Sequence, residues 1–268
     1  MLGELLIIFK LFFGAEYNHS EEDEVHMDEN KIVVGMVIAQ PVKDTDDPLA
    51  ELARYTQDKK AEVILFPEDH IYSDKLGDLQ QIAKESGKWI ISGMEDRETG
   101  EKKYKHAVVV NSQGEVVGRH RKTSLTYDEL KKGFSHGDAI DAVETAFGTI
   151  GVSICYEMHF PEVARSYALQ GARVVFNPVG TGMWQETQYQ AWTGVGRTRA
   201  SENGIFAVGC SHANDAVPFA YAYAPDGLCL AEARHVSRMV RVTLDLTQCF
   251  GMFLEHRQPH LYGRLVKE

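Results

Sequence analysis

From Lys31 onward, apolar runs of strand length alternate with segments that carry the start and stop signals of helices. KIVVGMVIA (31–39) and EVILFPE (62–68) are continuous apolar runs, typical of strands that are covered on both faces. Asp46-Asp47-Pro48 marks a helix start between them, and a second helix is predicted over Lys75–Ser86. This order predicts strands and helices packed in layers.

Antiparallel hairpins interleave with this alternation further along the chain. HAVVVN and EVVGRHR are joined by Ser112-Gln113-Gly114, a hairpin turn signal. A helix is predicted from Pro161 to Leu169, with Gly171 at its carboxyl end, and another over Trp184–Asn203. Further strands are predicted at WIISGME, TIGVSICYE, RVVFNP, GIFAVGC, FAYAYA, LCLAEA and SRMVRVTLD. The pattern predicts an α/β domain with two sheets face to face and helices outside.

The first 30 residues differ in charge from the rest of the chain. They hold eight acidic residues and one lysine, whereas the whole protein of 268 residues has a net charge of −11. An acidic run of this kind is typical of a solvated tail, and Met27 is a candidate native start. Leu5–Gly14 is apolar but is interrupted by Lys10 and is shorter than the ~20 residues that span a bilayer, so neither a signal peptide nor an anchor is predicted.

Charge and cysteine content limit the function classes. An acidic chain lacks the positive footprint that phosphate backbones need, so nucleic-acid binding is not expected. The four cysteines, Cys155, Cys210, Cys229 and Cys249, form no Cys-x-x-Cys pair, which argues against a zinc ribbon or redox pair. So few cysteines indicate reduced thiols, and we expect a cytoplasmic protein that has no membrane partner.

Three polar residues close predicted buried strands: Glu68, Lys122 and Cys155. Strand ends are where α/β scaffolds hold reactive groups, because the sheet fixes the backbone there. Each residue alone also has a structural interpretation: a surface carboxylate, a member of a solvated basic cluster, and a small buried side chain.

The residues that flank these three positions favour the functional interpretation over the structural one. LFPE around Glu68, GRHRKTSL around Lys122 and ICYEMHFPEVAR around Cys155 closely resemble the three signature blocks of the nitrilase superfamily of carbon–nitrogen hydrolases. ALQGARVVFNP, RASEN and RQPHLYG resemble later blocks of the same family, so the resemblance extends from about Lys31 to Gly263.

The resemblance implies a four-layer αββα sandwich over residues 31–268, preceded by an extra or disordered tail over 1–30. It implies a catalytic triad in which Glu68 is the general base, Lys122 stabilises the oxyanion and Cys155 is the nucleophile. The second glutamate that the family often has a few residues after the lysine corresponds to Glu129 in LTYDELKKGF, where Asp128 is adjacent. The implied reaction is hydrolysis of a small amide or N-carbamoyl compound through a cysteine thioester, with water and no metal or other cofactor.

The roles agree with elementary chemistry. A thiol attacks as the thiolate, which a nearby carboxylate can generate and a nearby ammonium can stabilise. The backbone N–H of Tyr156 is a candidate second oxyanion donor if Cys155 lies on a tight elbow.

Departures from the family pattern leave the substrate open. Ser124 stands where the family commonly has histidine, and His136-Gly137 stands where Pro-Gly is common. The Cys-Tyr-Glu flank of Cys155 resembles amidases and carbamoylases more than nitrilases. We expect the substrate pocket to include Tyr156, His159, Phe160 and Trp184; for Trp184 a place in the core is equally compatible with the sequence.

Four alternatives remain. A Cys155–His159 pair would indicate a protease or transferase, and a decayed site would indicate a non-catalytic module that binds partners. Nitrile hydrolysis could use the same triad. A membrane acyltransferase of this superfamily is disfavoured, because no segment is long enough to span a bilayer. The resemblance also implies a homodimer or higher homo-oligomer, with Gln248–Glu268 as a candidate interface element.

Overall fold

A computed structural model describes residues 30–41, 47–96 and 102–263 of the chain. The acidic tail predicted over residues 1–30 lies outside this part except for Asn30, and so does Asp46 at the first predicted helix start.

The described strands, numbered in chain order, form two mixed sheets. They are β1 (Lys31–Val37), β2 (Val63–Leu65), β3 (Ile71–Tyr72), β4 (Trp89–Glu95), β5 (Lys105–Val110), β6 (Val116–Arg121), β7 (Val143–Thr145), β8 (Gly148–Val152), β9 (Val174–Val179), β10 (Phe206–Ser211), β11 (Phe219–Tyr223), β12 (Cys229–Arg234) and β13 (Met239–Asp245).

In the described ranges, the first sheet has seven strands in the order β13-β1-β2-β4-β5-β6, with β3 paired to β4. The second sheet has six strands in the order β12-β11-β10-β9-β8-β7. The inner strands β1, β2 and β4 run parallel, as do β8, β9 and β10, whereas antiparallel strands form the outer parts.

The helices within the same ranges are α1 (Pro48–Thr56), α2 (Leu76–Ser86), α3 (Tyr127–Lys131), α4 (Pro161–Leu169), α5 (Glu186–Asn203) and α6 (Met252–Glu255). Short 3-10 helices cover Ser73–Lys75, Cys155–His159 and Pro259–Leu261. None of the described helices is long and apolar enough to cross a membrane.

Alternating side chains of the strands fill two separate layers of core. Val34 and Met36 of β1 pack with Phe176 of β9 in a cluster shared by both sheets. The next residue, Val37, joins a second cluster with Leu52 of α1, on the other face of the first sheet. Helix α4 packs on β8, and α5 packs on β10 and β11. These layers confirm the predicted αββα sandwich.

Most predicted elements are present with small shifts at their ends. Helix α1 starts after Asp47, whose carboxylate accepts hydrogen bonds from the N–H groups of Leu49 and Ala50. Helix α4 has the predicted bounds, and Gly171 follows it at a φ of +89°.

One predicted strand is too long. TIGVSICYE was expected to be extended throughout, but β8 ends at Val152 and a 3-10 helix begins at Cys155. Cys155 has a φ of +48°, which is incompatible with a continuing strand. The tight elbow proposed around Cys155 is therefore present.

Candidate active site

The three predicted residues meet where strands of the two sheets end. Glu68 follows β2, Lys122 directly follows β6, and Cys155 begins the 3-10 helix after β8. Lys122 Nζ lies 2.7 Å from Glu68 Oε1, and the Cys155 thiol lies beside the Glu68 carboxylate and helps to lower its pKa. Glu68 and Lys122 are 54 residues apart along the chain, and Lys122 and Cys155 are 33 residues apart, yet the three side chains form one contact group.

Lys122 is the centre of this group. Its side chain is fully buried, and Nζ donates to Glu129 Oε1 at 2.6 Å as well as to Glu68. Burial would lower the pKa of Lys122, but the neighbouring carboxylates outweigh it and hold the pKa above its ordinary value. Lys122 therefore remains a protonated ammonium between two carboxylates.

Glu68 and Cys155 have opposite shifts. Burial would raise the pKa of Glu68, but the ammonium groups of Lys122 and Lys105 lower it below its ordinary value. Burial, with the adjacent Glu68 charge, raises the pKa of the Cys155 thiol, and Lys122 only partly opposes this. The resting pair is a carboxylate facing a neutral thiol, which is the arrangement a general base requires.

Two glycines permit this close packing. A Cβ on Gly180 would lie 2.3 Å from Glu68 Oε2, and a Cβ on Gly93 would lie 2.3 Å from the Glu68 Cα. The backbone N–H of Gly180 lies near the Cys155 sulfur and acts to lower the pKa of the thiol. Gly180 was not among the predicted site residues, because its contact depends on how β9 passes Glu68.

Glu129 is fixed by the start of α3. Its Oε2 accepts a hydrogen bond from Thr126 N at 2.7 Å, while Thr126 Oγ1 accepts from Glu129 N at 3.3 Å. This reciprocal capping leaves Oε1 directed at Lys122. The structure thus brings the fourth predicted residue into the same group.

A third buried carboxylate, Glu157, links the loops that carry Lys122 and Cys155. It accepts hydrogen bonds from the N–H groups of Thr123 and Ile154, both at 2.6 Å, and from His120 Nε2 at 2.9 Å. The nucleophile turn and the end of β6 are therefore held in fixed relation. In the sequence, Glu157 is the glutamate of the Cys-Tyr-Glu motif that begins at Cys155.

Asn177 and Tyr221 support the nucleophile turn from the second sheet. Asn177 Nδ2 donates to the carbonyl of Ser153 at 2.6 Å, and Tyr221 Oη donates to Asn177 Oδ1 at 2.9 Å. Asn177 lies in the predicted FNP block, whereas nothing in the sequence indicated Tyr221.

The four predicted pocket residues are only partly grouped. Tyr156 is 5.2 Å from Phe160 and 5.8 Å from His159, measured between ring centroids. The His159 ring packs edge-on against Trp192 at 4.6 Å, towards α5. Trp184 is 70% exposed, so the interpretation of this residue as core is wrong.

Sequence reasoning missed a second lysine near the group. The 7% exposed Lys105 lies directly opposite Lys122 in the β5–β6 hairpin, where its carbonyl accepts a hydrogen bond from Lys122 N at 2.8 Å. The register set by the turn would place Lys105 opposite Arg121, and the shift between Val109 and Val110 moves it opposite Lys122. Across the described ranges, no cluster of three or more histidine, cysteine, aspartate or glutamate side chains is arranged to hold a metal ion.

Comparison with known proteins agrees with this geometry. A sequence model of the carbon–nitrogen hydrolase family matches residues 38–250. Deaminated glutathione amidase of Mus musculus is 30% identical over 240 residues, covering 76% of this chain and 70% of that protein. Omega-amidase NIT2-B of Xenopus laevis is 26% identical over 239 residues, covering 78% and 86% respectively.

A solved structure confirms the architecture. The carbon–nitrogen hydrolase of Helicobacter pylori superposes with a TM-score of 0.79 at 21% identity, covering 89% of this chain and 99% of that one. The chain belongs to the carbon–nitrogen hydrolase family of the nitrilase superfamily. It is a hydrolase that acts on carbon–nitrogen bonds other than peptide bonds.

Proposed function

We propose that this protein hydrolyses a small amide or N-carbamoyl compound through a thioester on Cys155. The observation that carries the proposal is the group formed by the Cys155 thiol, the Glu68 carboxylate and the Lys122 ammonium, with Lys122 Nζ 2.7 Å from Glu68 Oε1. The amidases among its relatives favour an amide over a nitrile.

In the first half-reaction, Glu68 takes the thiol proton as the Cys155 sulfur bonds to the carbonyl carbon. The displaced electron pair moves to the carbonyl oxygen, where Lys122 and the N–H of Tyr156 stabilise the negative charge. Collapse of this intermediate breaks the carbon–nitrogen bond, and the departing nitrogen takes the proton from Glu68. An acyl thioester and an amine or ammonia result.

In the second half-reaction, Glu68 takes a proton from water as the water oxygen attacks the thioester. The carbon–sulfur bond then breaks, the acid leaves, and the proton returns to sulfur. Glu129 holds the Lys122 ammonium in place through both steps, because its own orientation is fixed by α3.

A substrate panel tests the proposal. We expect small amides or N-carbamoyl compounds to release ammonia or amine, and rapid quenching to give a protein mass increased by the acyl group. Peptide mass spectrometry should locate that group on Cys155. Turnover of nitriles alone would support the alternative of nitrile hydrolysis, whereas no turnover and no adduct with any compound would favour a binding module.

We also propose that the chain assembles as a homodimer or higher homo-oligomer through its carboxyl-terminal segment. Met252, Phe253, Leu261 and Tyr262 are exposed large hydrophobic side chains within Gln248–Glu268. Light scattering at micromolar concentration should give at least twice the chain mass of 30.0 kDa. Phe253→Ser should weaken this association, and a monomeric wild-type protein would contradict it.

A further inference from the structure

Two lysines face each other across the β5–β6 hairpin beside the catalytic group. Lys122 follows β6, and its backbone N–H donates to the carbonyl of Lys105, the first residue of β5. Like charges directly opposite each other on neighbouring strands destabilise a sheet unless other groups compensate them. Both side chains are nevertheless buried, so carboxylates must balance them.

The compensating carboxylates bridge the two lysines. Glu129 Oε1 lies 2.6 Å from Lys122 Nζ and 4.0 Å from Lys105 Nζ. Lys105 Nζ also contacts Asp69 Oδ2 and lies 3.5 Å from Glu95 Oε2. Lys105 thus shares an acidic partner with the lysine of the triad, which couples the two charges.

Asp69 places a second carboxylate directly after Glu68. Its φ of +54° bends the backbone, so that Glu68 contacts Lys122 while Asp69 contacts Lys105. Gly93 permits the bend, because a Cβ there would lie 2.8 Å from Asp69 N. Two consecutive acids therefore pair with two opposing lysines.

We propose that Lys105 and Asp69 form a positioning pair that keeps Glu68 ionised for proton transfer from Cys155; this inference rests on the proposed function. Lys105 supplies a second positive charge near Glu68, and Asp69 fixes where that charge lies. Neither residue touches the reacting atoms. The pair acts through the electrostatics of Glu68 and Glu129.

The electrostatics around Glu68 give the sign of the effect. Burial would raise the pKa of Glu68, and Lys105 is one of the two ammonium groups that lower it. Removing the Lys105 charge therefore raises the pKa of Glu68, so the active carboxylate form is lost at a higher pH. Among the described residues, the other charged or titratable groups that face Glu68 or Lys105 are Lys122, Glu129, Asp69, Cys155, Glu95 and His212. His212 Nε2 donates a hydrogen bond to the Glu68 carbonyl.

The test is the pH dependence of kcat/KM for Lys105→Met. We expect the acid limb to move to higher pH by about one unit, which gives an approximately tenfold loss of kcat/KM at pH values below the limb. On the plateau, kcat/KM should change by less than about threefold. Lys105→Arg keeps the charge and should keep the wild-type limb. Burial raises the pKa of Asp69 to about 7, and loss of the Lys105 ammonium raises it further, so Asp69→Asn/Lys105→Met should keep the acid limb of Lys105→Met.

Lys103→Met is the matched control. Lys103 Nζ lies 3.4 Å from Glu95 Oε1 and over the Phe134 ring. Like Lys105→Met, this change therefore removes one positive charge close to Glu95. The acid limb of kcat/KM for Lys103→Met should coincide with that of the wild type. The proposal would be overturned if kcat/KM of Lys105→Met fell equally at every pH, or if its acid limb did not move. It would also be overturned if Lys105→Arg had the same shifted acid limb as Lys105→Met.

Alkylation of Cys155 provides a second readout that needs no turnover. The rate of modification by iodoacetamide is followed against pH by peptide mass spectrometry, which separates the four cysteines. Lys105→Met should move the pH profile of Cys155 modification to higher pH. One ammonium fewer then stabilises the combined negative charge of the Cys155 thiolate and the Glu68 carboxylate. A shifted profile without hydrolysis by the wild-type protein would refute the proposed function alone, whereas an unshifted profile refutes the role of Lys105.

Discussion

Cys155→Ala is expected to lower amide turnover by at least about 10⁴-fold, because no other group can form the thioester. The acyl adduct should also disappear from the protein mass after rapid quenching. Glu68 and Lys122 keep their mutual contact in this variant, since that contact does not involve sulfur. Steady-state release of ammonia or amine, together with intact mass, measures both effects.

Cys210→Ala is the control for this prediction. Cys210 is also fully buried, but it lies in β10 with its sulfur 3.4 Å from the carbonyl oxygen of Leu65. Its loss should leave turnover within about threefold of wild type, as expected for a small change in the core. Equal losses in both variants would indicate a folding defect, and full activity in Cys155→Ala would exclude Cys155 as the nucleophile.

Lys122→Met is expected to damage both stability and activity. The change leaves Glu68 and Glu129 buried without their shared ammonium, and breaking a buried pair in this way costs about 3–5 kcal/mol of unfolding free energy. Turnover should fall by at least about 10²–10³-fold, since an oxyanion donor is lost as well. Urea denaturation and steady-state kinetics measure the two losses separately.

The stability loss should depend on pH with a definite sign. In the wild type, the lowered pKa of Glu68 contributes stability above the unfolded-state pKa, and this contribution disappears as the pH falls through the folded-state pKa. In Lys122→Met, the buried Glu68 binds a proton more readily when folded than when unfolded. The difference in unfolding free energy between the two proteins should therefore narrow from pH 8 to pH 5.

Two further variants separate charge from packing in this prediction. Lys122→Met/Glu129→Gln removes one of the two uncompensated carboxylates and should recover part of the lost stability without recovering activity. Lys103→Met removes a partly exposed lysine and should cost less than about 1 kcal/mol. A Lys122→Met protein as stable as wild type at pH 8 would contradict the proposed electrostatic arrangement.

Much of this site could be predicted from the sequence because each reactive residue follows a buried strand. The apolar runs locate the strand ends, and strand ends at the same edge of two packed sheets lie close together. Glu68, Lys122 and Cys155 were found in this way, with the family blocks fixing their order. Glu129 followed from the family resemblance, which places a second glutamate a few residues after the lysine.

The remaining parts depend on features that periodicity does not reveal. The positive φ of Asp69 decides which way the Glu68 and Asp69 side chains point, and nothing in the local composition predicts such a backbone. Helix α3 and strand β7 are only five and three residues long, too short for an apolar period to be visible. Trp184 is a further case: a place in the core was one of the two interpretations that the sequence allowed, but the side chain is exposed.

The pairing of β13 with β1 has a consequence for synthesis of the protein. These strands pair along their full length, from Lys31 opposite Asp245 to Val37 opposite Met239, although about 200 residues separate them. While the chain emerges from the ribosome, β1 has an open hydrogen-bonding edge until the last strand has left the exit tunnel. The nascent protein therefore carries an unprotected edge through most of translation, a period in which chaperones would protect it from aggregation.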